Sequence, residues 1–379
     1  MQIIRLSNDI NYFEEIVKIG ADKMGAQIMS KKADNLLLKF YELDIRAANI
    51  LKQEALSLGA DLAVGENCSK MVGKTTDAIL IIDRYRLAKL IEKLKLQPFG
   101  LKNISLKLKE FLNIAHCGKI KLMGVLNINE DSFYAKSRTT KDNFLNIAKK
   151  AFDDGADILD IGAVSSRPNS IYPGVDVEFE RIKPIIDELK QADLIDKISL
   201  DSFEPKVIQY ALDSGVKIIN DITGLSNIKV GELVAKYDAT LVIMHKLGDT
   251  QTMQNEPSYK NVVAEVDEFF TERIALAKEL GVQNIILDVG IGFGKTLEHN
   301  LSLIKNTNHF LRHGYEVLVG ASRKSLIDKI SPSKIEDRLG GTLALHLKSL
   351  DEGATIIRAH DIYEHKQVIA VWNALKKAV

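Results

Sequence analysis

The chain is poor in cysteine. Its 379 residues include two, Cys68 and Cys117, too few for a disulfide framework and lacking metal-ligand spacing. Both are expected to be reduced thiols. Net charge is also missing: Lys plus Arg equals Asp plus Glu at 51 each, so no global basic field favours nucleic acid. No basic amphipathic stretch marks a membrane surface, and no apolar run approaches membrane-spanning length. The N-terminal stretch, MQIIRLSNDINYFEEIVKIG, lacks the basic start and apolar core of a signal peptide, and a cytoplasmic location is expected. Two nucleotide fingerprints are absent as well. SKMVGKTTD (Ser69–Asp77) contains GKT without the earlier glycine of a phosphate loop, and NINEDS (Asn127–Ser132) offers no Gly-rich dinucleotide turn.

What is present is an ordinary globular balance, 46% apolar and 27% charged, able to bury a large core. The length suits a barrel-sized domain plus a smaller one. Residues 1–118 read as a small α/β (α+β) unit. Its expected strands are Met1–Leu6, Asn35–Leu43, Ala60–Val64 and Ala78–Ile82. Its expected helices are Tyr12–Met24, Asp44–Leu58, Tyr85–Leu96 and Ile104–Ala115. No catalytic constellation occurs there, and the unit is expected to serve stability or assembly without contributing a side chain to catalysis.

Residues 119–379 change rhythm. Strand-like runs at Lys121–Ile128, Asp157–Gly162, Lys197–Asp201, Lys217–Asp221, Thr240–His245, Asn284–Gly290, Glu316–Ala321 and Thr355–His360 alternate with helical patterns. Eight βα repeats over about 260 residues predict a (β/α)8 TIM barrel. A doubly wound open sheet is the competing architecture.

In such a barrel the chemistry lies at the carboxyl ends of the strands. IILDVGIGFGK (Ile285–Lys295) shows the pattern, an apolar run ending in an aspartate and then three glycines at alternate positions. Polar residues end nearly every run: Asn127, Asp160, Asp201, Asn220-Asp221, Met244-His245, Asp288, Ser322-Arg323-Lys324, and Arg358 with His360. Each alone could be a solvated strand terminus, but eight at one depth converge on one mouth. Arg358 and His360, two apart on the last strand, suit a phosphate group. Asp160, Asn220 and Asp288 suit the donor-rich edge of an amino-heterocycle such as a pterin or guanine.

These segments resemble the dihydropteroate synthase family. The motifs are MGVLNINEDSF (Met123–Phe133), DIGAVSSRP (Asp160–Pro168), Asn220-Asp221-Ile222, MHKLGDTQTMQ (Met244–Gln254), DVGIGFGK (Asp288–Lys295), GASRKS (Gly320–Ser325) and RAHD (Arg358–Asp361). The resemblance implies a transferase joining 6-hydroxymethyl-7,8-dihydropterin diphosphate to 4-aminobenzoate, giving 7,8-dihydropteroate and pyrophosphate in folate biosynthesis. It implies that Asp160, Asn220, Asp288 and Lys324 hold the pterin, with Asp201 and Met244 beside it. Asn127 would help bind Mg²⁺ and diphosphate, and Ser166, Arg167, Arg358 and His360 would contact phosphate or the mobile loops. Ser166, Arg167, Phe293, Lys324 and Ser325 would frame the aminobenzoate, which sulfonamides mimic. Asp288, Lys324, Arg358 and His360 would carry the catalysis. The substrates are small molecules, and a homodimer is expected.

The resemblance stops short of residues 1–118. It also has local departures: Ala135 stands where the family carries an acidic residue, Ser166 where Thr is usual, Asn169 where Gly is usual, and Lys246 where an apolar residue is more usual. Pterin-dependent methyltransferases share the barrel and a similar pterin floor, but they have no need of SSRP, SRKS and an Arg-x-His phosphate grip. A barrel that merely scaffolds partners is the non-enzymatic alternative.

Overall fold

The computed structural model describes residues 1, 3, 6, 10–112, 118–128, 143–164, 172–248, 253 and 256–377. Two compact units divide the chain, Met1–Ile114 with Leu375–Val379, and Ala115–Ala374.

In the first unit, strands β1 (Asn35–Asp44), β2 (Asp61–Val64) and β3 (Thr75–Asp83) form an antiparallel sheet in the order β1-β3-β2. Aspartates start two of the helices that cover it. The Asp44 carboxylate accepts from the Arg46 N–H and the Asp83 carboxylate from the Arg86 N–H, each satisfying an orphan first-turn donor. Helices Ile45–Ser57, Arg84–Leu94 and Leu101–Glu110 bury Leu51, Leu87, Leu90 and Leu101 in one cluster with Leu62, Leu80 and Ile82. The helices cover one face only, so buried and exposed residues alternate along the strands. Ala78, Leu80 and Ile82 point inward, while Ile79 and Ile81 are exposed.

Two expectations are corrected in this unit. The Tyr12–Met24 helix is two helices, Tyr12–Lys18 and Lys23–Ala33, because Gly20 adopts a left-handed φ of 90° and Asp22 caps the second. The last helix runs Leu101–Glu110. The expected strand Met1–Leu6 lies mostly outside the described residues.

The second unit is a closed barrel of eight parallel strands, which excludes the open sheet. They are β4 (Lys121–Asn127), β5 (Ile158–Gly162), β6 (Ile198–Asp201), β7 (Ile218–Asp221), β8 (Thr240–Met244), β9 (Asn284–Asp288), β10 (Glu316–Val319) and β11 (Ile356–Ala359). Closure joins β11 to β4 through Arg358 opposite Met123. All eight coincide with expected runs. The helical segment after β9 breaks at Asn306 into Leu297–Lys305, Thr307–Phe310 and a 3-10 turn Leu311–His313.

That break serves a brace. Asp267, on the helix Val262–Glu279, accepts from Arg312 Nε (2.8 Å) and pairs with His313 (2.9 Å) and His309 (3.2 Å). Burial would raise this carboxyl, but hydrogen bonds from His309, His313 and Arg312 hold it far below the usual carboxylate range. A depressed folded pKa contributes stability above the unfolded value and loses it as pH falls. Asp267→Ala is expected to lower the barrel's unfolding free energy by about 3 kcal/mol in urea titrations at neutral pH. The difference from wild type should shrink below about pH 4; an equal difference at pH 3 and pH 7 would contradict the brace.

Candidate active site

Inside the barrel, Met123, Ile158, Val242, Ile286, Leu318 and Ile356, with Ile218 packed on them, form one apolar layer. Strand side chains alternate faces, so the residue two further along points into the same interior, one layer nearer the loops. Those residues are Val125, Asp160, Met244, Asp288, Gly320, Arg358 and Asn220. The alternation that builds the apolar layer therefore also builds a polar layer above it.

Asp160 is the hub of that layer and is fully buried. Its Oδ1 accepts from Ser199 Oγ (2.6 Å), and its Oδ2 accepts from Asn220 Nδ2 (2.9 Å) and Arg358 Nε (2.7 Å). Arg358 Nη2 donates to Asp201 Oδ2 at 3.2 Å. The Asn220 amide must turn its NH₂ toward the carboxylate, and this leaves Oδ1 buried with no partner among the described residues. A buried acceptor left unpaired is costly unless a ligand donor meets it. Burial, with the Asp160 charge added, pushes the Asp201 carboxyl up to about 7 against the pull of Arg358. Burial also raises Asp288, whose Oδ1 accepts from the Gly290 N–H at 2.8 Å.

On the β9–β10 side the Lys324 ammonium lies 4.6 Å from the Phe293 ring centroid and donates to the Ile291 carbonyl. Burial draws Lys324 down to about 8, with Asp288 opposing. Ser325, exposed, opens the short helix Ser325–Ile330 directly after it. His360 is held by Ser322, whose hydroxyl lies 2.9 Å from Nδ1 and accepts from the His360 backbone N–H at 3.2 Å. Met244 stands opposite Asp288 in the β8–β9 register, and Asn127 ends β4, half-buried.

Residues 123–360 match the pterin binding enzyme family. A bifunctional dihydropteroate synthase/dihydropteroate reductase of Helicobacter pylori is 38% identical over 362 residues, 95% of each chain. The chain belongs to the dihydropteroate synthase family. Among solved structures, a dihydropteroate synthase of Xanthomonas albilineans with 4-aminobenzoic acid superposes with a TM-score of 0.63 at 32% identity, covering 69% of this chain and 94% of that one. The Yersinia pestis dihydropteroate synthase with a sulfonamide drug gives a TM-score of 0.64 at 30% identity, covering 69% and 95%.

The structure thus brings Asp160, Asp201, Asn220, Met244, Asp288 and Arg358 into one layer of this synthase barrel, with Phe293, Lys324, Ser325, His360 and Asn127 at its loops. Ser166 and Arg167, and with them Ala135, lie outside the described residues. Three members of the expected mouth turn elsewhere. Asp221 binds its own turn, accepting from the Thr223 N–H (2.8 Å), the Thr223 hydroxyl (2.6 Å) and the Leu225 N–H (2.9 Å). Arg323, in the left-handed region at φ 53°, forms a buried two-pronged pair with Asp361. His245 faces Lys295 Nζ at 2.9 Å, and burial lowers it to about 3, so it is a neutral imidazole. Sequence reasoning missed Ser199 and Ser322 as supports. The signal for Ser199 was present: a polar residue in the inward phase, two before Asp201.

Asp201 supplies a pH test. Its ionised form presents a stronger acceptor to pterin N–H groups, so pterin affinity should rise as pH increases through about 7. Asp201→Asn should flatten that rise in calorimetric titrations between pH 6 and pH 8; an unchanged pH dependence in the variant would remove Asp201 from the site.

Proposed function

We propose that the barrel joins 6-hydroxymethyl-7,8-dihydropterin diphosphate to 4-aminobenzoate, forming 7,8-dihydropteroate and releasing pyrophosphate. The observation that carries this reading is the buried floor of Asp160, Asn220 and Asp288, whose unpaired Asn220 Oδ1 calls for a donor-rich heterocycle. The pterin's amino and ring N–H groups supply such donors.

The reaction breaks the bond between the pterin's methylene carbon and the diphosphate oxygen, and the electron pair leaves with the diphosphate. The aniline nitrogen's free lone pair forms the new C–N bond, and that nitrogen then loses a proton. It needs no strong base before attack. Two of the five Arg358 N–H groups serve Asp160 and Asp201, so the guanidinium is fixed in orientation with donors left for phosphate oxygens. His360, pinned by Ser322, adds a further polar contact. The negative charge of Asp160 and Asp288 favours the positive charge that develops on the pterin as the diphosphate departs. Phe293 and Lys324 would form the wall for the aminobenzoate ring, and its carboxylate would end near Ser325.

Mg²⁺ is part of the proposal. Among the described residues no group of three His, Cys, Asp or Glu side chains could hold a metal ion. Asn127 offers a single hard oxygen at the end of β4. A sparse oxygen set suits Mg²⁺, which keeps several waters and binds largely through substrate phosphates. Asn127 would hold the ion together with the diphosphate, and when bound it would neutralise charge on the leaving group. A homodimer and a cytoplasmic location complete the reading, to be checked by light scattering and cell fractionation.

A second activity is favoured by one observation. The match to the Helicobacter pylori protein covers 95% of this chain and so includes residues of the first unit, and that protein's name adds a dihydropteroate reductase. Reduction would place a hydride on C6 and a proton on N5 of the dihydropteroate, with a dihydronicotinamide or reduced flavin as donor. If the first unit serves only stability or assembly, a chain starting at Ala115 should retain the synthase and any reductase activity. Selective loss of reduction from that truncated chain, with pyrophosphate release intact, would assign the second activity to residues 1–114.

The synthase reading is tested by coupled pyrophosphate assay. Arg358→Ala should cut turnover at least a hundredfold, about 3 kcal/mol of transition-state stabilisation, at unchanged circular dichroism. Wild-type turnover in that variant would overturn the assignment. Sulfonamides should inhibit competitively, with inhibition relieved by added 4-aminobenzoate; inhibition that 4-aminobenzoate cannot relieve would displace the proposed pocket.

A further inference from the structure

Lys295 is a charged side chain buried in the barrel, with 2% of its surface exposed, and the mechanism above does not use it. Its Nζ lies 3.0 Å from the Gly290 carbonyl, 3.0 Å from the Phe293 carbonyl, 3.3 Å from the His245 carbonyl and 2.9 Å from His245 Nδ1. An ammonium has three donors, and here three backbone carbonyls and a neutral imidazole surround it. Two of those carbonyls belong to the loop after β9 and one to the segment after β8.

The backbone these contacts join has no slack. Gly290 and Phe293 close a turn through a 3.1 Å hydrogen bond, with Gly292 at φ 85° in the position where a type II turn requires glycine. A Cβ on Gly290 would sit 1.9 Å from the His245 carbonyl oxygen, so the two segments touch backbone to backbone. Tyr259 Oη donates to the Gly294 carbonyl at 2.8 Å, and the Gly292 N–H donates to Asn300 Oδ1 at 2.7 Å. Phe293, the residue whose ring carries Lys324, is thus held at its carbonyl by Lys295 and at its neighbours by Tyr259 and Asn300.

We infer that Lys295 is a positioning residue that clamps the segments after β8 and β9 together and thereby fixes the Phe293 wall against which the aromatic amine docks. It touches no substrate. The inference rests on the proposed synthase reading, which supplies the identity of the amine. Asp288 is set by strand β9 and its own bond to Gly290, so the clamp acts mainly on the amine and little on the pterin.

The test uses the full-length protein and compares Lys295→Met with Tyr259→Phe. In Lys295→Met the KM for 4-aminobenzoate should rise at least tenfold, while the calorimetric Kd for the dihydropterin diphosphate changes less than threefold. Tyr259→Phe removes one hydroxyl from the same loop and should raise that KM about threefold, again without moving pterin affinity. An unchanged KM in folded Lys295→Met, or equal losses toward both substrates, would overturn the inference. If Lys295→Met does not fold, an unchanged KM in Tyr259→Phe overturns it. Failure of the synthase reading is separate, since wild-type protein would then release no pyrophosphate.

Discussion

A carboxylate with no exposed surface cannot stay ionised without partners, and that constraint at Asp160 organises the barrel mouth. Ser199, Asn220 and Arg358 answer it from β6, β7 and β11, on either side of β5. Each partner is committed in orientation by that bond. Asn220 must show its oxygen to the cavity, and Arg358 must lie across the floor toward Asp201. Features that make the site selective for a donor-rich ring therefore follow from satisfying one buried charge. Replacing any partner leaves the charge short of a donor, and this penalty is larger than the value of the lost bond itself.

The loops above the floor are set by a second group of buried polar bonds. The Ala321 N–H donates to His346 Nε2 at 2.9 Å, so the His346 proton lies on Nδ1 and points to His365 Nε2, 2.7 Å away. His365 must then carry its proton on Nδ1, where the Asp361 carbonyl accepts at 2.5 Å. Burial lowers both imidazoles and keeps this chain neutral, and each ring's tautomer follows from its neighbour. The relay ties the end of β10 to the end of β11, as Arg323 and Asp361 do beside it. Ser322, Lys324 and His360 hang from those two strand ends. Lys295 does the equivalent work between β8 and β9.

The first unit is built on a different economy. Its sheet buries one face under three helices, and Leu37, Ile79 and Ile81 remain exposed on the other at 72%, 40% and 46%. Its side-chain hydrogen bonds include helix caps, surface ion pairs and ties to backbone carbonyls, such as Asn49 to Cys68 and Arg86 to Leu58, and its buried carboxylate Asp83 is met by Arg86 alone, from the first turn of the helix that Asp83 caps.

Local physics made much of the barrel legible. Apolar runs at a βα repeat gave all eight strands, and a polar residue ending each run marked the depth of the site. Asp160, Asn220, Asp288 and Arg358 were readable because each sits in the inward phase of a strand, two residues beyond an apolar one. The sequence could not separate residues at the same depth that point differently. Asp221 and Arg323 looked equivalent to Asn220 and Lys324, but adjacent residues on a strand face opposite sides, and a left-handed turn swings Arg323 toward Asp361. Nor could it find the role of Lys295, because the carbonyls around its ammonium come from two segments about fifty residues apart. Strand periodicity is a local property and was determined by the sequence alone. The pairing of buried charges across the barrel depends on closure of the sheet, and only the tertiary structure decided it.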